Sequence, residues 1–161
     1  MREPADFDAF YDATSRRVLH QLYALTGDLG RARDCTQEAY ARAWRHWPAV
    51  TAATSPEAWV RGTAWRLASG PLRRGVKRGP KQPAAPPGAE SADLVAALLR
   101  LPERQRYAFV VRYLAGAAVA DIAAETGTSV ATVENRLAKA HTTLARILPG
   151  DIAALTGGHR V

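Results

Sequence analysis

The stretch from Ala118 to Leu148, AVADIAAETGTSVATVENRLAKAHTTLARIL, decides the fold. It predicts two helices joined by a tight turn. Val119 to Thr126 carries helix formers with Ile122 facing inward, and Gly127 follows where a helix needs a left-handed terminating residue. Ser129 is placed as an N-cap, its hydroxyl accepting a backbone N–H at the start of the next helix. In that helix Val133, Leu137, Ala140, Leu144 and Ile147 step by four, three, four and three, which keeps all five on one stripe. The opposite face holds Ala131, Asn135, Ala138 and Thr142, flanked by Thr132, Arg136, Lys139 and Arg146. Small, amide and basic groups in that position suit a recognition helix in a DNA major groove. A helical hairpin in an ordinary bundle, with a solvated polar face, shows the same pattern.

Working outward, Asp93 to Leu101 forms a short amphipathic helix through Leu94, Ala97, Leu98 and Leu101. Pro102 restarts the chain with Glu103 in a first turn, and Ala108, Val111 and Leu114, with Tyr107 and Val110 beside them, carry the stripe to Gly116. Upstream, residues 71–91 turn to Pro, Gly, Arg, Lys and Ala, the composition of an extended linker. Pro149-Gly150 ends the last helix, leaving 149–161 as a tail. The fold class expected is all-α: two small helical domains, 1–70 and 92–148, joined by a flexible basic linker, the second domain a helix-turn-helix.

In the first domain Phe7, Phe10, Tyr11, Val18, Leu22 and Leu25 form a stripe ending at Gly27-Asp28. A second helix runs from Leu29 to Trp47 with Ala32, Thr36, Ala39, Tyr40, Ala43 and Trp47 inside. Its outer side carries Asp34, Glu38 and Arg45, with Gln37 at the flank, which reads as solvated surface or as an acidic patch for a basic partner. Pro48 is expected to stop that helix and open a loop through Ser55, with Trp44 and Trp47 in the core. Ser55, Pro56 and Glu57 then start a third helix, to Ser69, where Trp59 and Trp65 interleave with Arg61 and Arg66. Aromatics among arginines fit a surface that meets unstacked bases and backbone; tryptophans in a core and arginines in solvent fit equally.

Charge is unevenly placed. The net charge is +7, and between Glu57 and Glu90 there is no acid but seven bases: Arg61, Arg66, Arg73, Arg74, Lys77, Arg78 and Lys81. Such a local excess serves phosphate contact or a solvated linker. The one cysteine, Cys35, excludes an internal disulfide and reads as a small core residue. His20, His46, His141 and His159 are scattered and read as surface histidines. No metal-ligand spacing, Gly-rich phosphate loop or nucleophile arrangement is present, so no cofactor, no metal, no small-molecule substrate and no enzyme activity are expected. With no leader pattern and no membrane-length apolar run, a cytoplasmic location is expected.

Four stretches in order resemble the extracytoplasmic-function (ECF) sigma factors of bacterial RNA polymerase. They are FDAFYDATSRRVLHQLYALTGD, RDCTQEAYARAWRHW, SPEAWVRGTAWRLA, and LPERQRYAFVVRYLAG running on through the helix-turn-helix. The resemblance implies core RNA polymerase and promoter DNA as partners, and it allows an anti-sigma factor. It assigns Asp34, Gln37 and Glu38 to the polymerase clamp, and Arg45 on the same outer side is a further candidate polymerase contact. Trp59 matches a position on the −10 side, with the loop Val50 to Ser55 capturing an extruded base, and Arg61, Trp65, Arg66, Arg73 and Arg74 are further candidate DNA contacts. Ser129, Thr132, Asn135, Arg136 and Lys139 fall to the −35 element. The sequence departs from the family at Trp65-Arg66, at Gly70-Pro71, at Glu134 and at His141, each a loss or reversal of charge on the DNA side. Two alternatives stand beside this reading: a degenerate sigma-like interaction protein, and a LuxR-type helix-turn-helix regulator.

Overall fold

The computed structural model describes residues 4–69 and 92–148. Among them every regular element is a helix: α1 (Pro4–Thr26), α2 (Leu29–Arg45), α3 (Trp47–Ala52), α4 (Pro56–Ser69), α5 (Ala92–Leu99), α6 (Glu103–Tyr113), α7 (Val119–Thr126) and α8 (Val130–Ile147). The chain divides into two compact units, Met1–Ala89 and Glu90–Val161. The linker 71–91, Gly70-Pro71 and the tail 149–161 lie outside the described residues.

In the first unit α1, α2 and α4 pack on one another. The α1–α2 corner is tight because Gly27 takes φ 68°, and the Asp28 side chain then accepts from the Arg31 N–H at 3.0 Å. Val18 and Leu22 of α1 meet Ala32, Cys35, Ala39 and Ala43 of α2 and Val60, Ala64 and Leu67 of α4. The alanines let the helix backbones approach closely. Burial raises the pKa of the Cys35 thiol, consistent with an inert core residue. The Tyr40 hydroxyl lies 2.6 Å from Thr14 Oγ1 inside this core, and burial pushes its pKa up to about 12. At the surface Arg17 pairs with Glu57, tying α1 to α4.

Three expectations differ from the structure. The second helix does not run to Trp47. It ends at Arg45, His46 adopts φ −115°, ψ 28°, and a new short helix begins at Trp47 with Pro48 in its first turn. Within a continuous helix Pro48 would lack an N–H for the Trp44 carbonyl and its ring would crowd that oxygen, so the chain breaks earlier and uses proline where a helix tolerates it. As a result Val50, fully buried, and its two successors are helical, and only residues 53–55 remain of the expected loop. Trp47 is core, but Trp44 is half-buried, its ring 5.3 Å from that of Phe7.

In the second unit α6, α7 and α8 pack together, with α5 against α8. Arg106 turns back to donate to the carbonyls of Leu98 and Leu101, each at 3.0 Å, tying α6 to the end of α5 and the turn after it. Phe109 is the largest fully buried side chain of the protein's described residues. The turn between α7 and α8 forms as its residues dictate. Gly127 takes φ 68°, Ser129 Oγ accepts from the Thr132 N–H at 3.1 Å, and Val133, Leu137, Ala140 and Leu144 are buried.

Candidate functional site

The outer side of α2 gathers the first set of expected residues. Gln37 and Arg45 are exposed, Asp34 and Glu38 half-exposed. Glu38 is already engaged: its carboxylate accepts from Arg42 Nε at 3.0 Å, one turn on, and from Arg45 at 3.2 Å. The Arg42 hydrogen bond, assisted by Arg45 and outweighing partial burial, holds the Glu38 pKa below the usual carboxylate value. The surface is therefore a mixed-charge patch with a prepaired acid, and not a bare acidic one. The sequence carried the signal for Arg42, a base four residues after Glu38.

The second set lies on α4, and the structure separates it. Residues seven apart share a helix face and residues four apart share another, so Trp59 and Arg66 fall on one side and Arg61 and Trp65 on the other. Arg66 is exposed and donates to Thr63 Oγ1 at 3.2 Å, while Trp59 and Trp65 are half-buried. Arg61 is only 4% exposed. That speaks against the reading of Arg61 as a phosphate contact, because so little of the side chain reaches the surface. Arg73 and Arg74 lie outside the described residues.

The third set lies on α8. Ala131, Asn135, Ala138, Lys139 and Thr142 are exposed, and Thr132 and Arg136 half-exposed, opposite the buried stripe. Ser129 and Thr132 spend their hydroxyls on each other, 2.9 Å apart, and Ser129 Oγ also takes the cap N–H, so this pair shapes the turn. Asn135, Arg136 and Lys139 share a groove of about 590 Å³ with the first turn of α6, where exposed Arg104 stands. Three cations thus line one flank of α8, with exposed Glu103 of α6 beside them. Arg104 was missed by sequence reasoning, since only the packing of α6 on α8 brings it there. His141 is a further correction. It is half-buried, its Nε2 lies 2.7 Å from the Tyr113 hydroxyl, and its ring stands edge-on to those of Phe109 and Tyr113. Burial lowers its pKa. It fastens α8 to α6 and does not face the exposed front of the helix.

Among the described residues no group of three His, Cys, Asp or Glu side chains is placed to hold a metal ion, and no helix is long and apolar enough to cross a membrane.

Comparison with known proteins gives the same division of the chain. A family model described as Sigma-70 region 2 matches residues 10–78, and one described as Sigma-70, region 4 matches residues 91–144. The ECF RNA polymerase sigma factor SigG of Mycobacterium tuberculosis, strain CDC 1551 / Oshkosh, is 26% identical over 190 residues. The match covers 92% of this chain and 51% of that protein, and SigG of strain H37Rv matches equally. The chain thus spans about half the length of the curated relatives it matches. In fold it is similar to a chain of the co-crystal structure of the sigma factor RpoE in complex with the anti-sigma factor NepR from Bartonella quintana. The TM-score is 0.75 at 21% identity, over 91% of this chain and 98% of that one.

Proposed function

We propose that this chain, which belongs to the sigma-70 family in its extracytoplasmic-function class, binds core RNA polymerase and directs it to a subset of promoters. The family is one of transcription-initiation factors, so the chain contributes binding and strand opening, and the polymerase supplies the chemistry. On this reading the α2 face of Asp34, Gln37, Glu38 and Arg45 docks on the polymerase clamp. Trp59 and Arg66 of α4, with Trp65 on the other side of that helix, serve the −10 side, and the front of α8 reads the −35 element. The observation that carries the reading is the α8 surface: an exposed amide between small residues for base edges, beside a flank of Arg104, Arg136 and Lys139 for phosphates. Unstacking a −10 base costs a few kcal/mol, and half-buried tryptophans are the stacking groups available to recover it.

A second reading is supported by the prepaired Glu38 and the enclosed Arg61, which leave fewer free charges on the first unit than its sequence suggests. In it the chain holds polymerase, or an anti-sigma factor of the kind named with RpoE, without opening promoters.

Reconstitution separates the two. The purified chain is mixed with core polymerase, in parallel with an Asp34→Lys/Glu38→Lys variant. Assembly and promoter-dependent transcripts by the wild type, with assembly weakened in the variant, support the main reading. Assembly without promoter opening supports the second. No assembly at all contradicts the main reading and leaves only the anti-sigma arm of the second.

A further inference from the structure

Glu134 stands apart from every other charge on α8. It is exposed and makes no hydrogen bond or ion pair among the described residues. Three and four residues to either side stand Val130, Ala131, Leu137 and Ala138, so no basic side chain of the helix is spaced to neutralise it. With Ser129 as N-cap it is the fifth helical residue, beyond the first turn in which the helix dipole stabilises a carboxylate. Neither helix stability nor a surface ion pair accounts for it.

Its position relative to the groove is informative. Asn135 points away from the buried stripe; successive residues turn by ~100°, so Glu134 lies to one side of it and Arg136 to the other. Arg136 and Lys139, with Arg104 of α6, line the groove on the Arg136 side, where Glu103 is the one acid, and Arg146 stands about three turns further along the helix. A DNA strand whose phosphates follow that flank leaves Glu134 toward the base edges, where Val130, 42% exposed, adds an apolar neighbour. An ionised carboxylate only accepts hydrogen bonds, and the major groove offers it amino donors on cytosine N4 and adenine N6. The neighbouring amide of Asn135, also without a hydrogen bond among the described residues, has the donor–acceptor pair that matches adenine N6 and N7.

We infer that Glu134 and Asn135 together set the base preference of α8, Glu134 accepting from a cytosine amino group and Asn135 pairing with an adenine at a neighbouring position. The inference rests on α8 being the −35 reader. It turns an apparent loss of phosphate attraction into a specificity determinant.

The test is selection of promoter fragments randomised across the −35 element by polymerase reconstituted with the full chain. Wild type is expected to favour one cytosine and one nearby adenine, each by about tenfold over other bases. Glu134→Gln is expected to shift the cytosine position toward adenine, and Glu134→Ala to erase preference at that position only. Asn135→Ala should erase the adenine preference. The assignment is overturned if the Glu134 variants keep the wild-type motif, or if they raise affinity for all sequences equally. A wild-type motif lacking these bases overturns it alone. A wild type with no −35 preference overturns the promoter reading and this assignment together.

Discussion

Helices α4 and α8 carry similar promise in sequence, each a run of basic and polar residues threaded through apolar ones, yet the fold treats them oppositely. On α8 one narrow stripe is buried and its recognition candidates stay at the surface. On α4 burial takes Val60, Arg61, Gly62, Thr63, Ala64 and Leu67, more than half a turn's circumference, because α1 and α2 both pack on it. On α8 the neighbours α5, α6 and α7 meet one stripe and leave a readable outer face; on α4 the neighbours cover most of the circumference and take even an arginine inside.

That difference is open to attack at single residues. The largest effect is expected from Arg61→Ala. Removing so large an enclosed side chain should cost on the order of 3 kcal/mol, seen as early melting of the first unit, with −35 duplex affinity unchanged. Unchanged melting with lost promoter opening would instead put Arg61 at the DNA. Arg136→Ala is expected to do the reverse: melting within about 0.5 kcal/mol of wild type, affinity about tenfold weaker, and the salt slope reduced by about 0.9. If affinity holds across salt concentrations, the groove flank is not where phosphates run. Ser129→Ala tests the turn that aims α8. It should cost about 1 kcal/mol of stability in the second unit, with weaker binding that follows from the loosened turn.

The smallest effect concerns pH. Burial lowers the His141 pKa from 6.5, so the unfolded chain takes up the proton first. The stabilisation is complete above pH 6.5 and is lost as pH falls through the lowered folded value. Melting curves of the second unit at pH 7.5 and 5 should diverge in wild type and converge in His141→Phe, which keeps the aromatic contact.

The same contrast explains what was legible in the residues alone. Gly127, Ser129 and the four-three spacing of α8 are local signals, and each formed as read except that Ile147, at the helix end, is only half-buried. So did the Ser55 cap, whose hydroxyl accepts from the Ala58 N–H at 3.1 Å. Phe109 escaped the stripe of α6 because Tyr107, Ala108, Phe109, Val110 and Val111 are all buried, and a stretch of helix covered all round has no period to detect. The break at His46 depends on Pro48 being used as a helix start, which a rule of proline as terminator misses. Arg61 going in, His141 turning to Tyr113 and Arg104 reaching the α8 groove are all tertiary events. No spacing along one segment encodes them.

The central claim is that the exposed front of α8 guides polymerase to particular promoters. The most direct measurement is in vitro transcription from fragmented bacterial genomic DNA by core polymerase with and without the chain, mapping transcript starts, alongside a variant carrying Asn135→Ala and Arg136→Ala. A small set of new starts sharing a −35 motif is expected, lost or scattered in the variant. Starts identical to those of core polymerase alone, or a set untouched by the variant, would contradict it.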